Sequence, residues 1–257
     1  DLDDTAAVAW ALEQAEEKPH PYAIERAANW LAGKKKKNGG FAAFDIDNVY
    51  HYLNEIPFAD HGALIDPPTS DVTARCIGLL GKYGKHQQEV WRGISFLLRE
   101  QEKNGAWFGR WGTNYIYGTW SVLEALRLAG FDRQHISVQR AVKWLKSVQR
   151  PDGGWGETND SYLDSNLAGR FAETSTAFQT AWAVLGLMAA GDVSSESVRK
   201  GINYLLSHQS SDHLWEDPWF TAPGFPRVFY LRYHGYSKFF PLWALARYRA
   251  LTREVIN

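Results

Sequence analysis

The chain has 257 residues, enough for one substantial hydrophobic core or two small ones. Its 28 Lys and Arg side chains balance 29 Asp and Glu, which argues against a nucleic-acid surface, since such surfaces carry a basic excess. The single cysteine, Cys76, excludes an internal disulfide and fits a reducing compartment.

In chain order, the first feature is an acidic triplet, Asp1, Asp3 and Asp4, ahead of the apolar run from Ala6 to Leu12. Acidic residues in this place are what a helix N-terminus favours. Crowded carboxylates have a second reading, because mutual repulsion keeps one of them protonated and ready to donate. Metal binding is a third and weaker one, as no second carboxylate cluster of comparable density converges from sequence. The basic run Lys34 to Lys37 reads as a solvated loop rather than a lipid-headgroup patch. A helix is expected from a cap at Ser70 or Asp71 to a stop at Gly81. Cys76 lies in its apolar run and reads as packing.

The segment Tyr115 to Ala129 reads as a helix ending at Gly130. From Val138 to Gln149 one apolar stripe (Val138, Ala141, Val142, Leu145, Val148) predicts a helix that buries one face. Val198, Ile202 and Leu205 make a similar stripe. Between them, Ala177 to Ala190 is apolar almost all round, which predicts burial on every side; its cap is expected at Thr174 or Ser175 and its stop at Gly191. No alternating strand pattern of useful length is visible.

A repeat runs through these helices. An aromatic-Leu pair is followed by Gln, a Gly-rich turn and an aromatic residue: Phe96-Leu97, Gln101 and Trp107, then Trp144-Leu145, Gln149 and Trp155. Two worn copies are Trp30-Leu31 with Phe41, and Tyr204-Leu205, Gln209 and Trp215, where His213 ends a turn without glycine. The period of roughly 50 to 65 residues holds two helices and a loop. About nine or ten helices are expected, inner ones alternating with outer ones. That describes an all-α chain, an (α/α)6 toroid or alpha-alpha barrel, incomplete at its N-terminal end because a closed toroid needs about twelve helices.

The motif Asp1-Leu2-Asp3-Asp4-Thr5-Ala6 resembles the Asp-x-Asp-Asp-Thr-Ala motif of the squalene-hopene cyclase family. Further matches are Phe44 to Asn48, Ile56-Pro57-Phe58, Asp66-Pro67-Pro68, Asp71 to Ala74, Trp107 to Gly112, Asn114 to Thr119, Gly224-Phe225-Pro226 and Phe229-Tyr230-Leu231. The resemblance implies that residues 1–257 form the single C-terminal barrel of a two-barrel terpene cyclase. There Asp3 protonates the terminal alkene of squalene or a related polyprene, and Asp1 and Asp4 tune it. It implies an aromatic lining for the carbocation at Trp111, Phe225 and Phe229. Tyr117 belongs to the acid's surroundings, and Tyr233 and Tyr236 back the wall. The repeat tryptophans brace outer helices.

No cofactor or metal is implied. The expected setting is peripheral, on the cytoplasmic face of the cell membrane, with homodimerisation a family expectation. Without the upstream barrel, the 257 residues are expected to be inactive.

The chain also departs from the family. Arg75 stands where hopene-forming members carry histidine beside the acid, and a guanidinium still stabilises an ionised Asp3. Phe44 stands where tyrosine is frequent. His61 follows Asp60 in a loop where an aromatic is more usual, and Phe58 and Ala59 are the gate candidates. These departures fit a member that takes another polyprene, such as a monocyclic C35 chain, or that stops after fewer rings. Two other readings are a protein-prenyltransferase-like toroid, which needs a zinc-bound thiolate, and a non-catalytic toroid.

Overall fold

The computed structural model describes residues 1–15, 20–35, 37–44, 50–58, 64–170 and 173–254. Among them are nine α-helices: α1 (Leu2–Gln14), α2 (Pro21–Ala32), α3 (Ser70–Tyr83), α4 (Gln87–Arg99), α5 (Tyr115–Leu128), α6 (Ile136–Ser147), α7 (Ala177–Ala189), α8 (Glu196–Ser207) and α9 (Tyr236–Glu254). The all-α class follows the helical periodicities. The exception is an antiparallel hairpin, β1 (Ala222–Phe225) and β2 (Phe229–Leu231), with a bulge between Pro223 and Phe225. Strands of this length are too short to write an alternating pattern.

The chain divides into two compact units, Asp1–Gln101 with Glu124–Asp132, and Glu102–Leu123 with Arg133–Asn257. In the first, α1 packs on α2 and α3, and α3 packs on α4. Helix α4 buries Val90, Gly93, Ile94, Phe96 and Leu97 and exposes its polar face. Helix α3 begins at Ser70 with Thr69 as its cap, one residue before the first expected cap, and ends at Gly84 in the left-handed conformation. Gly81 is therefore not its stop. A Cβ there would lie 2.7 Å from Ala129 Cα, so this glycine serves a close approach between helices.

In the second unit α7 is buried at every residue, as its uniformly apolar sequence requires, and it packs on α6, α8 and α9. Its cap is Thr176, whose side chain accepts the Gln179 N–H. Helices α6 and α8 bury one face each. Gly130 and Gly191, at φ 68 and 89, end α5 and α7 where stops were expected.

The repeat turns share one geometry. Gln149 Nε2 donates to the Gly153 carbonyl within the turn and to the Ser197 carbonyl. Trp155 Nε1 donates to the Leu145 carbonyl at 2.8 Å, and Trp215 Nε1 to the Leu205 carbonyl at 2.8 Å, each reaching ten residues back. Both rings are buried, so they brace helices as expected. Gly39, Gly105 and Gly153 have positive φ, and in the worn copy His213 takes that conformation at φ 63.

Candidate active site

The acid end belongs to the first unit. Asp1 Oδ1 accepts the Asp4 N–H at 3.0 Å, which makes Asp1 the N-cap of α1. The Leu2 N–H is tied to the Ala43 carbonyl at 2.8 Å. Asp1 and Asp4 are exposed and Asp3 is half-buried. Asp3 reaches α3, where Arg75 Nε donates to its Oδ1 at 3.0 Å. The cap thus falls on Asp1, while Asp3 is the member that meets a cation.

Helix α3 supplies more than Arg75. Thr69 Oγ1 donates to Asp71 Oδ1 at 2.6 Å, and Asp71 is buried. Cys76, which follows Arg75, is fully buried with its Sγ 3.9 Å from the Leu2 carbonyl. Burial first, then the charge of Asp3, push its thiol well above the usual range. A buried protonated thiol packs and does not react. Phe44 is exposed, its N–H donating to Asp66 Oδ2. Phe58 is 84% exposed. Ala59 and His61 lie outside the described residues, as do Asp45, Ile46, Asp47 and Asn48.

The second unit gathers the aromatic candidates in two groups. The Arg110 guanidinium lies 4.2 Å from the Trp111 ring centre and 5.9 Å from that of Phe225, and Phe225 meets Phe229 edge to face at 5.6 Å. Arg110 also donates to the Pro223 and Gly224 carbonyls, which fixes the hairpin beside the Trp111 loop. In the other group Tyr117 and Tyr236 both contact Trp182, at 5.1 and 5.6 Å, and Tyr233 contacts Tyr236 at 5.1 Å.

The second group is larger than the sequence reading proposed. Trp120, Phe178, Trp182, Phe240 and Trp243 join it. Trp182 lies in the middle of the wholly apolar helix, which marks it as core and gives no separate sign of a site. The groups meet through Gly109 and Gly112: a Cβ on either would stand 2.7 Å from the Tyr117 ring.

Sequence reading also passed over a buried polar hub. Glu157 Oε2 accepts the Ile116 N–H at 3.0 Å and the Asn114 N–H at 3.3 Å, at the start of α5. Burial raises the Glu157 carboxyl, against the backbone N–H groups that favour its ionised form. Gln179, fully buried on α7, accepts the Glu157 N–H and donates to the Glu157 and Thr113 carbonyls. A signal was present: Gln179 interrupts an apolar helix, and a buried amide must find partners.

Among the described residues no helix is long and apolar enough to cross a membrane. The family model described as squalene-hopene cyclase C-terminal domain matches residues 1–250. A probable squalene–hopene cyclase of Sinorhizobium fredii is 55% identical over 98% of the chain, which covers 40% of that relative. The squalene–hopene cyclase of Zymomonas mobilis is 52% identical over 98% of the chain and 39% of its own length. The chain thus spans about two-fifths of the length of these relatives. The solved type II terpene cyclase MstE from Scytonema aligns with a TM-score of 0.60 over 88% of this chain and 59% of that one, at 22% identity. That likeness speaks to fold alone and agrees with the α/α-toroid class. With the family model matched from Asp1 onward, this chain belongs to the squalene-hopene cyclase family and corresponds to its C-terminal domain.

Proposed function

We propose that the protein cyclises a lipid-soluble polyprene by protonating its terminal alkene, with Asp3 as the acid. The observation that carries this reading is the Arg75–Asp3 pair, a fixed cation 3.0 Å from the motif's middle aspartate. In the first step the Asp3 O–H bond breaks and a C–H bond forms at the less substituted alkene carbon. The other alkene carbon becomes a tertiary cation, and Asp3 is left as a carboxylate that Arg75 stabilises.

Ring closures then carry the cation along the chain. Rings such as Trp111, Phe225 and Phe229 attract it through their faces. They offer it no nucleophilic atom and keep water away. Loss of a proton, or capture of water with release of one, ends the sequence, and solvent reloads Asp3. Squalene is the first substrate to test, given the relatives' names. A monocyclic C35 polyprene is the second, since Arg75 departs from the histidine of hopene-forming members.

The cavity is proposed to close only with an upstream barrel of the kind the longer relatives have room for, so these residues alone are expected to be inactive. A seat on the cytoplasmic face of a membrane, and pairing of two copies, belong to the same proposal. Exposed Phe239 and Leu242 on α9 supply apolar surface for it.

The test is incubation of the full-length protein in heavy water with each polyprene, with Asp3→Asn as control. Deuterated polycyclic product that vanishes in a folded Asp3→Asn variant supports the reading. Wild-type turnover in that variant removes Asp3 from the chemistry.

A further inference from the structure

Trp111 and Tyr117 sit on one short stretch of chain, the loop after Trp107 and the first turn of α5. This stretch has little regular structure of its own, and buried polar groups hold it from several sides. Glu157 accepts the Asn114 and Ile116 N–H groups. Gln179 Nε2 donates to the Thr113 carbonyl at 3.1 Å and the Glu157 carbonyl at 3.0 Å, while its Oε1 accepts the Glu157 N–H at 3.0 Å. The Tyr162 hydroxyl lies 2.7 Å from the Gly109 carbonyl and 2.9 Å from the Gly112 carbonyl. The Asn114 side chain accepts the Gly109 N–H and donates to Ser161.

Glu157 is 2% exposed and Gln179 is fully buried, so removing one partner leaves a buried polar group short of a hydrogen bond. Hydrogen bonds in a buried network are strong, and breaking one is costly. Helix α7, packed on three neighbours, is the fixed body from which Gln179 holds the loop.

We propose that Gln179 and Glu157 are positioning residues that set the ring planes of Trp111 and Tyr117, and thereby decide how far cyclisation runs before the cation is quenched. The proposal rests on the cyclase reading. Neither residue needs to touch substrate. A ring face displaced by about 1 Å is enough to shift a rate by up to about 100-fold, and each intermediate cation divides between the next ring closure and early quenching.

The test uses the full-length protein and the variant Gln179→Leu, which keeps much of the bulk and removes every hydrogen bond. Products are resolved by mass spectrometry, and the Trp111 indole N–H is followed by NMR, assigned with Trp111→Phe. Gln149→Leu is the structural control, since it removes a tether in a repeat turn away from the loop. The share of incompletely cyclised product is expected to rise about tenfold in Gln179→Leu, with a displaced Trp111 resonance. Gln149→Leu is expected to melt earlier with the wild-type product split.

A folded Gln179→Leu with the wild-type split overturns the proposal. If that variant does not fold, Gln179→Met, which keeps the unbranched side chain and loses the hydrogen bonds, is judged by the same two outcomes. If the wild-type protein forms no cyclic product, the cyclase reading fails separately. The Trp111 resonance then decides the positioning claim, and an unmoved signal overturns it.

Discussion

Arg75 Nε, on α3, stands 3.0 Å from Asp3 Oδ1, on the first turn of α1. The two side chains keep 21% and 25% of their surface exposed, so as a structural pair they contribute at most about 1 kcal/mol. In the proposed proton donation by Asp3 the same pair counts for more, because the cation stabilises the carboxylate that donation would leave behind. Arg75→Leu is therefore expected to lower turnover by about 100-fold while the melting temperature shifts by no more than a few degrees. Arg75→His adds a sign. A protonated imidazole replaces the guanidinium at low pH, and its charge is lost as pH rises through about 6.5. Activity of this variant relative to wild type is expected to fall over that range. Parallel pH–rate profiles for the two proteins would remove Arg75 from the proton step.

Gly112 lies against the Tyr117 ring, and a Cβ there would meet its Cγ at 2.7 Å. The ring itself is packed on Trp120 and Trp182 and has nowhere to retreat. Gly112→Ala is expected to cost about 1 to 3 kcal/mol by overpacking, read from a urea transition. An unchanged midpoint would mean that the loop yields freely, which contradicts the tethers described for it.

A helix stop and a repeat turn separate two costs of replacing glycine. Gly130 has φ 68 and open space around its Cβ position, so Gly130→Ala meets only the left-handed backbone penalty of about 1 to 2 kcal/mol. Gly153 has φ 88, and a Cβ there would also stand 2.8 Å from the Lys200 carbonyl on α8. Gly153→Ala is expected to be the more damaging of the two. His213 already carries the backbone penalty, so His213→Gly is expected to stabilise by about 0.5 kcal/mol after the added chain entropy is counted. Thermal melts of the three variants check the order, and a Gly130→Ala that melts below Gly153→Ala would break it.

Much of this was legible wherever one physical cause acted alone. The uniformly apolar α7 had to be buried on every side, and the Gln-to-Trp spacing announced turns that brace helices. Asp3 was singled out by its motif, and its nearest cation, Arg75, by its departure from that motif. Legibility failed where one residue type serves two ends. Gly81 was read as a helix stop, yet it lets α3 approach Ala129. Ser70 and Asp71 were both acceptable caps, yet Thr69 takes the place, with its N–H donating to the distant Phe41 carbonyl. The hairpin at Ala222–Phe225 is held by Arg110, more than a hundred residues earlier in the chain, and no local pattern reports such a partner. The aromatic group around Trp182 joins buried rings, Tyr117, Trp120, Phe178 and Trp182, to the exposed Tyr233, and the spacing does not separate the two kinds.

Asp217 gives a prediction with a definite sign. Its carboxylate accepts the Ala177 N–H at the start of α7. Burial nevertheless pushes it up to about 6, against the Ala177 and Phe178 backbone N–H groups and Arg232, which pull it down. The unfolded chain titrates this group near 3.9. Between about pH 4 and pH 6 the native state therefore binds more protons than the unfolded state. The stability that the protonated group contributes is complete below pH 4 and is lost as pH rises through about 6, by on the order of 2 to 3 kcal/mol. The buried Glu157, also raised, adds in the same direction. Asp217→Asn keeps an oxygen for the Ala177 N–H and removes the titration. Its urea midpoint is expected to fall less between pH 4.5 and pH 6.5 than that of the wild type. Equal falls in the two proteins would show that the Asp217 carboxyl titrates alike in the folded and unfolded states.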